Sequence, residues 1–241
     1  LTNQSKMEQA DVTINGARGL NLPVPVVPFF RQTNLELINA QWSGQGFVGG
    51  VLADKRGRVS AFVASFPVLN SDGGENYWRG IPASVVNAFL SDETGAFDAG
   101  VEWSPVPLLA ARRRGLSVDS AAVLENHDPE HRQALRVTRV THGGASMGKL
   151  EPGDILLSVN GQPATRISEW RKEAEQDTVR LRILREDVER DLEISPTFRT
   201  SDPFQRVLLW GGAIFQKPHL PVSQQRGQPQ SGVYVSYWWQ G

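Results

Sequence analysis

The chain has 241 residues, 25 basic against 26 acidic side chains, a formal net charge of −1 and 39% hydrophobic residues. That length suits one large domain or two small ones, with ample apolar material for a core. The near-neutral balance gives no overall pull toward nucleic acid or an anionic membrane, and no apolar run approaches the roughly 18 residues of a membrane span. The absence of cysteine excludes disulfides, thiol nucleophiles and thiolate metal sites.

Residues 1–20 are polar and weakly patterned and read as an extended lead-in. Leu22-Pro-Val-Pro-Val-Val-Pro28 is too rich in proline for helix or central strand and reads as extended chain on a surface. A strand is predicted over Asn34 to Ala40, with Leu35, Leu37 and Asn39 facing one way. Gly46 to Asp54 and Arg58 to Ala64 form a predicted hairpin about Lys55-Arg-Gly57. A loop is expected over Pro67 to Asn76. Arg79-Gly-Ile-Pro82 then leads into a helix over Ala83 to Leu90, whose buried stripe is Val85, Val86, Phe89 and Leu90.

Gly46-Phe-Val48-Gly-Gly-Val-Leu resembles the Gly-Asn-Ser-Gly-Gly-Pro-Leu motif around the nucleophile of HtrA/Deg-type trypsin-like proteases. A hairpin follows in both, and Gly-Ile-Pro before a helix resembles the Ala-Ile-Pro segment that ends that fold. Read this way, Val48 stands at the nucleophile position, where an isopropyl group has neither a proton to lose nor a lone pair to attack with. Gly46 and Gly49 would remain to shape an oxyanion loop, but backbone donors alone give only residual catalysis. No catalytic residue is assigned. An unrelated hairpin and helix is the competing reading.

Ser91 to Gly95 is a polar linker. Phe97-Asp98-Ala99-Gly100-Val101 resembles the carboxylate-binding loop of HtrA-type PDZ domains, with Ala99 where a larger residue is usual. A glycine there lets backbone N–H groups converge on an anionic chain end, and Val101 to Trp103 would be the edge strand on which a peptide adds. A plain turn at the start of the domain explains the same residues. Leu108 to Arg114 is a predicted short helix ending in basic residues, with Gly115 just past it.

Residues 117–132 read as a polar insert. His127 and His131 lie four apart, but Pro129 between them and the lack of a third ligand favour solvated loop histidines over a metal site. A strand over Leu135 to Val140 and a short helix over Gly143 to Leu150 follow. Leu150-x-x-Gly153-Asp154-Ile-Leu-x-Val-Asn160-Gly161 resembles the centre of a PDZ domain, a small peptide-binding β-barrel. Pro152-Gly153 supplies a turn, Ile155 to Val159 a strand and Asn160-Gly161 a tight hairpin turn. Ser168 is the expected N-cap of a helix to Gln176 that would form the other wall of a peptide groove. Its Trp170 serves either core packing or ligand contact. Val179 to Leu184 and Glu189 to Ile194 form an alternating hairpin.

Residues 198–241 repeat the first part of the module. Trp210-Gly-Gly-Ala213 echoes Asp98 to Val101, Arg226-Gly227 echoes Arg114-Gly115, and Gly232 to Trp239 echoes Leu135 to Val140. An isolated fragment would expose an apolar patch here; an aromatic nucleic-acid platform is disfavoured, with only Arg206, Lys217 and Arg226 as basic partners. The start at Leu1 and the end at Gly241 read as cut.

Taken together, the chain resembles the C-terminal half of an HtrA/Deg-like serine protease of the fungal nuclear pro-apoptotic type and its bacterial relatives. The expected fold is mainly β. It comprises the end of a degenerate trypsin-like β-barrel (1–93), a PDZ β-barrel capped by short helices (95–197) and a partial second PDZ-like domain (198–241). The resemblance implies a non-catalytic, peptide-binding and regulatory portion of a serine endopeptidase, with Asp98, Ala99, Gly100, Val101, Trp103 and Trp170 as the peptide site. Partners would be protein C-termini or unfolded polypeptide, with homo-oligomers formed through the full-length protein; no nucleic acid, cofactor or metal is called for. By family analogy the compartment is a bacterial envelope, or the nucleus in a fungus. The alternatives are an assembly scaffold without peptide binding and an enzyme in its own right, for which no acid–base pair stands out.

Overall fold

The computed structural model of the chain describes residues 11–19, 34–42, 49–68, 75–90, 95–200, 206–218 and 232–239, and it is mainly β. The chain divides into two units, Leu1–Pro23 with Glu36–Asp92, and Val24–Leu35 with Glu93–Gly241.

In the first unit, β1 (Val12–Gly19), β2 (Glu36–Trp42), β3 (Gly50–Ala53), β4 (Val59–Val68) and β5 (Glu75–Pro82) form an antiparallel sheet in the order β1-β2-β5-β4-β3. The polar stretch read as a lead-in is therefore partly strand. Pairing with β2 from Val12↔Trp42 to Gly19↔Glu36 satisfies the backbone groups on one side of it, which hydropathy alone does not reveal. The β3–β4 turn closes on Asp54, whose carboxylate accepts from the amides of Arg56 and Arg58 at 2.9 and 3.0 Å. The expected loop over 67–76 is shorter than predicted, since Pro67 pairs with Asn76 and Val68 with Glu75. Arg79 to Pro82 belongs to β5.

Gly80 has a packing reason within that strand. A Cβ there would lie 2.8 Å from the Ala61 Cβ and 3.0 Å from the Leu52 Cδ1, so only glycine lets these neighbours close over it. The helix α1 (Ala83–Leu90) spans the predicted residues. Leu90, expected in the buried stripe, is 70% exposed because it occupies the outward side of the last turn; the Phe89 side chain lies outside the described residues.

The second unit runs β6 (Gly95–Asp98), β7 (Val101–Pro107), α2 (Leu108–Arg112), α3 (Val118–His127), β8 (Gln133–Val140), β9 (Ile155–Val159), β10 (Gln162–Pro163), α4 (Ile167–Glu173), β11 (Val179–Arg185), β12 (Val188–Ile194) and β13 (Thr197–Thr200). The sheet order is β12-β11-β9-β8-β7, with β10 paired to β9, and β13 pairs separately with β6. Successive side chains of a strand face opposite ways, and the β9–β11 register shift, which leaves Leu157 as an extra residue, brings Val159 to the side of Leu156, so β9 feeds two cores. Leu156 and Val159 pack with Val101, Trp103, Leu135, Val137, Ile167, Trp170 and Leu181. Ile155 and Leu157 pack with Val106, Leu108, Ala111, Leu116 and Leu124 under α2 and α3.

Three local expectations change. Residues 117–132 are not a featureless insert, because Ser117 caps α3 by accepting from the Ser120 amide at 3.0 Å, and Ala121 and Leu124 bury its inner face. Gly143 to Leu150 is a series of turns without regular helix; the amides of Gly144, Met147 and Lys149 bond to the carbonyls of Thr141, Gly144 and Ser146, as the low helix propensity of its glycines favours. Ser168 lies inside α4, which starts one cap earlier at Arg166, whose own amide and that of Thr165 donate to the Glu169 carboxylate at 3.1 and 2.8 Å. The helix ends at Glu173 rather than Gln176. The predicted tight turn at Asn160-Gly161 holds, with both residues left-handed (φ +49° and +82°), and the β11–β12 hairpin turns on left-handed Glu186 and Asp187 (φ +49° and +63°).

Beyond β13, β14 (Val207–Trp210), β15 (Ala213–Gln216) and β16 (Tyr234–Trp238) form a three-stranded antiparallel sheet. Its geometry matches the start of the preceding barrel at several points. Gly212 has φ +74° as Gly100 has +67°, and the Trp239 amide bonds to the Gly212 carbonyl at 2.8 Å as the Thr141 amide does to Gly100. The β15–β16 ladder slips between Ile214 and Phe215, and the β7–β8 ladder slips between Glu102 and Trp103. The two modules differ in that β14 pairs with β15, whereas β6 pairs with β13.

Candidate functional site

The candidate residues converge where β6 turns into β7. Asp98 ends β6, Ala99 and Gly100 make the turn, and Val101 opens β7. Gly100 is left-handed, and a Cβ on it would lie 2.6 Å from Thr141 Oγ1 and 2.7 Å from Gly144 Cα, so both its conformation and its neighbours demand glycine. The loop is tied from behind. The Ala99 carbonyl accepts from the Ser146 amide at 3.0 Å and from Ser146 Oγ at 2.7 Å, and the Gly100 carbonyl accepts from the Thr141 amide at 2.8 Å. On the donor side, the Gly100 amide is engaged by the Asp98 carboxylate at 2.8 Å. An anionic group already sits on one of the nest's own N–H groups.

β7 ends the sheet order, so one side of it faces β8 and the other is an edge. On that outer side the Val101 carbonyl accepts from Asn34 Nδ2 at 2.7 Å, and the Trp103 amide donates to Asn34 Oδ1 at 3.0 Å. Asn34, expected to open the strand that includes Leu37, instead precedes it, since β2 starts at Glu36.

The side chains of Val101 and Trp103 turn inward. Trp103 and Trp170 are 2% and 3% exposed and meet edge to face with ring centroids 5.1 Å apart. They join β7 to α4 within the core. Trp103 Nε1 is buried there with no hydrogen-bond partner among the described residues. A surface depression lined by Ser158, Asn160, Arg180, Arg182, Asp191 and Glu193 lies instead on the β9–β11–β12 face. None of the candidate residues lines it.

Both ends of α4 are pinned. Asp128, at the end of α3, is buried and receives Arg166 Nε at 3.0 Å, Thr165 Oγ1 at 3.1 Å and His131 Nδ1 at 2.8 Å. Burial pushes its carboxyl up, but the hydrogen bonds from Arg166, His131 and Thr165 outweigh that and hold it well below the usual carboxylate range. His127 Nε2 lies 3.0 Å from Glu169 Oε1. The two histidines are thus tied to carboxylates, His127 to Glu169 across α3 and α4, which sequence spacing does not show, and His131 to Asp128 within the turn that follows α3. At the other end, Asn160 Nδ2 donates to the Glu173 carbonyl at 3.2 Å while its Oδ1 accepts from the Arg180 amide at 3.0 Å.

The Gly-Asp motif has a structural role that its pattern did not disclose. Asp154 is buried and takes a two-pronged contact from Arg185, with Nε–Oδ1 at 2.7 Å and Nη2–Oδ2 at 2.6 Å. This hydrogen bond and the charge of Asp154 hold the Arg185 guanidinium above its ordinary range, against the opposing effect of burial. Arg185 carried no signal beyond its place at the end of an alternating strand.

Gly46 and Val48 lie outside the described residues. Gly49 is exposed and left-handed (φ +88°) immediately before β3. Among the described residues no group of three His, Asp or Glu side chains is placed to hold a metal ion, and no helix is long and apolar enough to cross a membrane.

A PDZ-domain profile matches residues 110–181. Protease Do-like 7 of Arabidopsis thaliana is 28% identical over 272 aligned residues, covering 99% of this chain and 25% of the relative. The pro-apoptotic serine protease NMA111 of Yarrowia lipolytica is 31% identical over 220 residues, covering 87% of this chain and 22% of the relative. The chain therefore spans about a quarter of the length of these relatives. Among solved structures, the HtrA-type protease AlgW with decapeptide aligns at 15% identity over 70% of this chain and 50% of that one, with a TM-score of 0.36. The same protease with tripeptide aligns at 16% identity over 80% and 67%, with a TM-score of 0.37. Over nearly its whole length the chain is a relative of the HtrA/Deg-like proteases, with a PDZ domain at residues 110–181.

Proposed function

We propose that this chain is a non-catalytic, regulatory portion of an HtrA-like serine endopeptidase, whose PDZ domain captures extended or C-terminal hydrophobic peptide segments by adding them as a strand to β7. The observation that carries the reading is the outer edge of β7. Directly after a glycine turn, the Val101 carbonyl and the Trp103 amide point away from β8 and form hydrogen bonds of peptide-like length. An unpaired strand edge beside a helix is the geometry that main-chain recognition uses. Asp98, Ala99 and Gly100 form the anion-facing turn, and the Trp103–Trp170 pair forms the apolar floor. A terminal carboxylate has to displace the Asp98 carboxylate from the Gly100 amide before it uses that donor. Capture would deliver polypeptide to, or switch on, a catalytic domain elsewhere in the protein.

The repeated glycine, carbonyl bond and ladder slip support residues 198–241 as the opening of a second PDZ-like module. Val48, at the position where the resembled proteases carry serine, supports the absence of peptidase activity here. The scaffold reading has weaker support, the exposed apolar residues Leu208, Leu209, Trp210 and Trp238.

The test is calorimetric titration of the 241-residue chain with a short peptide of alternating Ser and Val ending in Val, as free acid and as C-terminal amide. Binding of either form supports strand addition, and a preference for the acid that grows in Asp98→Ala assigns the nest to the terminal carboxylate. No binding of either form, to this chain or to Asp98→Ala and Asn34→Ala, overturns peptide capture and leaves the scaffold.

A further inference from the structure

We infer that Asn34 is an intramolecular stand-in for the peptide, holding the receiving edge of β7 until a ligand strand replaces it. The inference rests on the peptide-binding reading above and adds to it a competitor within the chain. A carboxamide side chain is chemically a peptide group, planar, with one carbonyl acceptor and N–H donors. Asn34 uses both ends. Its Nδ2 donates to the carbonyl of Val101 and its Oδ1 accepts from the amide of Trp103. These two backbone groups are two residues apart on the side of β7 turned away from β8, so one residue of an added parallel strand, or two alternate residues of an antiparallel one, would engage the pair.

The partners lie 67 and 69 residues from Asn34 in the sequence, so this is no local turn. Asn34 belongs to the same unit as β7, although β2 of the other unit begins at Glu36. The contact uses a single side chain, whereas a peptide presents the same groups at every second residue. A ligand can therefore outbid it by extending the ladder along β7, and a segment too short to form that ladder cannot. In this arrangement Asn34 sets a threshold of length and extendedness for what the edge accepts. It also blunts an edge that would otherwise invite pairing with other chains.

The experiment measures affinity of the 241-residue chain for the same labelled Ser/Val peptide, together with amide hydrogen exchange at Trp103, in the wild type, Asn34→Ala and Asn34→Asp. Asn34→Ala removes both hydrogen bonds. Asn34→Asp keeps the size and the acceptor for Trp103 but sets an oxygen against the Val101 carbonyl. Losing a donor–acceptor pair of ordinary strength predicts peptide binding tighter by about tenfold or more in both variants. The Trp103 amide should exchange faster in peptide-free Asn34→Ala than in the wild type, and regain protection when peptide is added. Equal affinity in all three chains overturns the inference and leaves peptide capture standing. Absence of binding in all three overturns both; faster Trp103 exchange in Asn34→Ala would then identify Asn34 as a structural bolt. A variant that loses protection across β8 and β9 as well would be misfolded, and the comparison then rests on the other substitution.

Discussion

Replacing Arg185 with methionine should be among the most damaging single changes in the PDZ unit. The side chains of Asp154 and Arg185 are 1% and 16% exposed, so this ion pair is largely hidden from water. Arg185 supplies two of the hydrogen bonds to Asp154; the third comes from the Glu151 amide at 2.8 Å. Removing the guanidinium leaves a buried carboxylate with a single donor, which costs about 3–5 kcal/mol. The further contact from Arg185 to Glu151 adds little, since Glu151 is 66% exposed and such pairs contribute at most about 1 kcal/mol.

The double variant Asp154→Leu/Arg185→Met removes both charges together. Its cost should fall to about 1–3 kcal/mol, chiefly the Glu151 amide left without its acceptor. The assay is native-state hydrogen exchange at the Val137 amide, which bonds to the Asp154 carbonyl at 2.8 Å. Arg185→Met should lower its protection by about two to four orders of magnitude, and the double variant should recover much of that. If Arg185→Met costs less than about 1 kcal/mol, or if the two single effects simply add, the carboxylate is solvated and the argument is wrong.

Two further outcomes follow from the same contacts. Gly100→Ala should destabilise the unit by about 2–4 kcal/mol, combining a left-handed alanine with overpacking against Thr141 and Gly144, and thermal unfolding would show it; a loss below about 0.5 kcal/mol would refute the close approach. Asp128 governs the acid limb. Its folded carboxyl binds a proton more weakly than the unfolded chain does, so its contribution is present above about pH 4 and is lost as pH falls below that value. Asp128→Asn should be less stable at neutral pH and show a flatter decline in acid, and an unchanged acid limb in urea titrations would contradict this.

The parts of the fold legible in the sequence are those where local chemistry alone decides. Asn160-Gly161 accepts two left-handed residues at little cost, Ile155 to Val159 is apolar on both faces because two cores claim it, and Gly100 must be left-handed for the chain to turn from β6 into β7. Of the candidate site, the turn and the edge strand could be located, because a glycine between two β-rich runs constrains the backbone within a few residues. The helix over Val118 to His127 was hidden because its buried positions are few, chiefly Ala121 and Leu124, and its remaining residues are polar. The turns over Gly143 to Leu150 looked helical because spacing does not report that Ser146 is held by the Ala99 carbonyl.

By itself, then, the sequence determined the strand-rich class, the tight turns, the order of the PDZ elements and the kinship those motifs carry. All of these depend on φ preferences and on alternation over a few neighbouring residues. Only the tertiary structure decided the contacts in and around the candidate site: Asn34 against Val101 and Trp103, Asp98 on the Gly100 amide, Arg185 on Asp154, and two histidines tied to Glu169 of α4 and to Asp128 at the end of α3. Most of these contacts join residues about 30 or more apart. Their partners are selected by where a whole sheet places its edge and which groups burial leaves in need of a hydrogen bond, and a local pattern holds neither quantity.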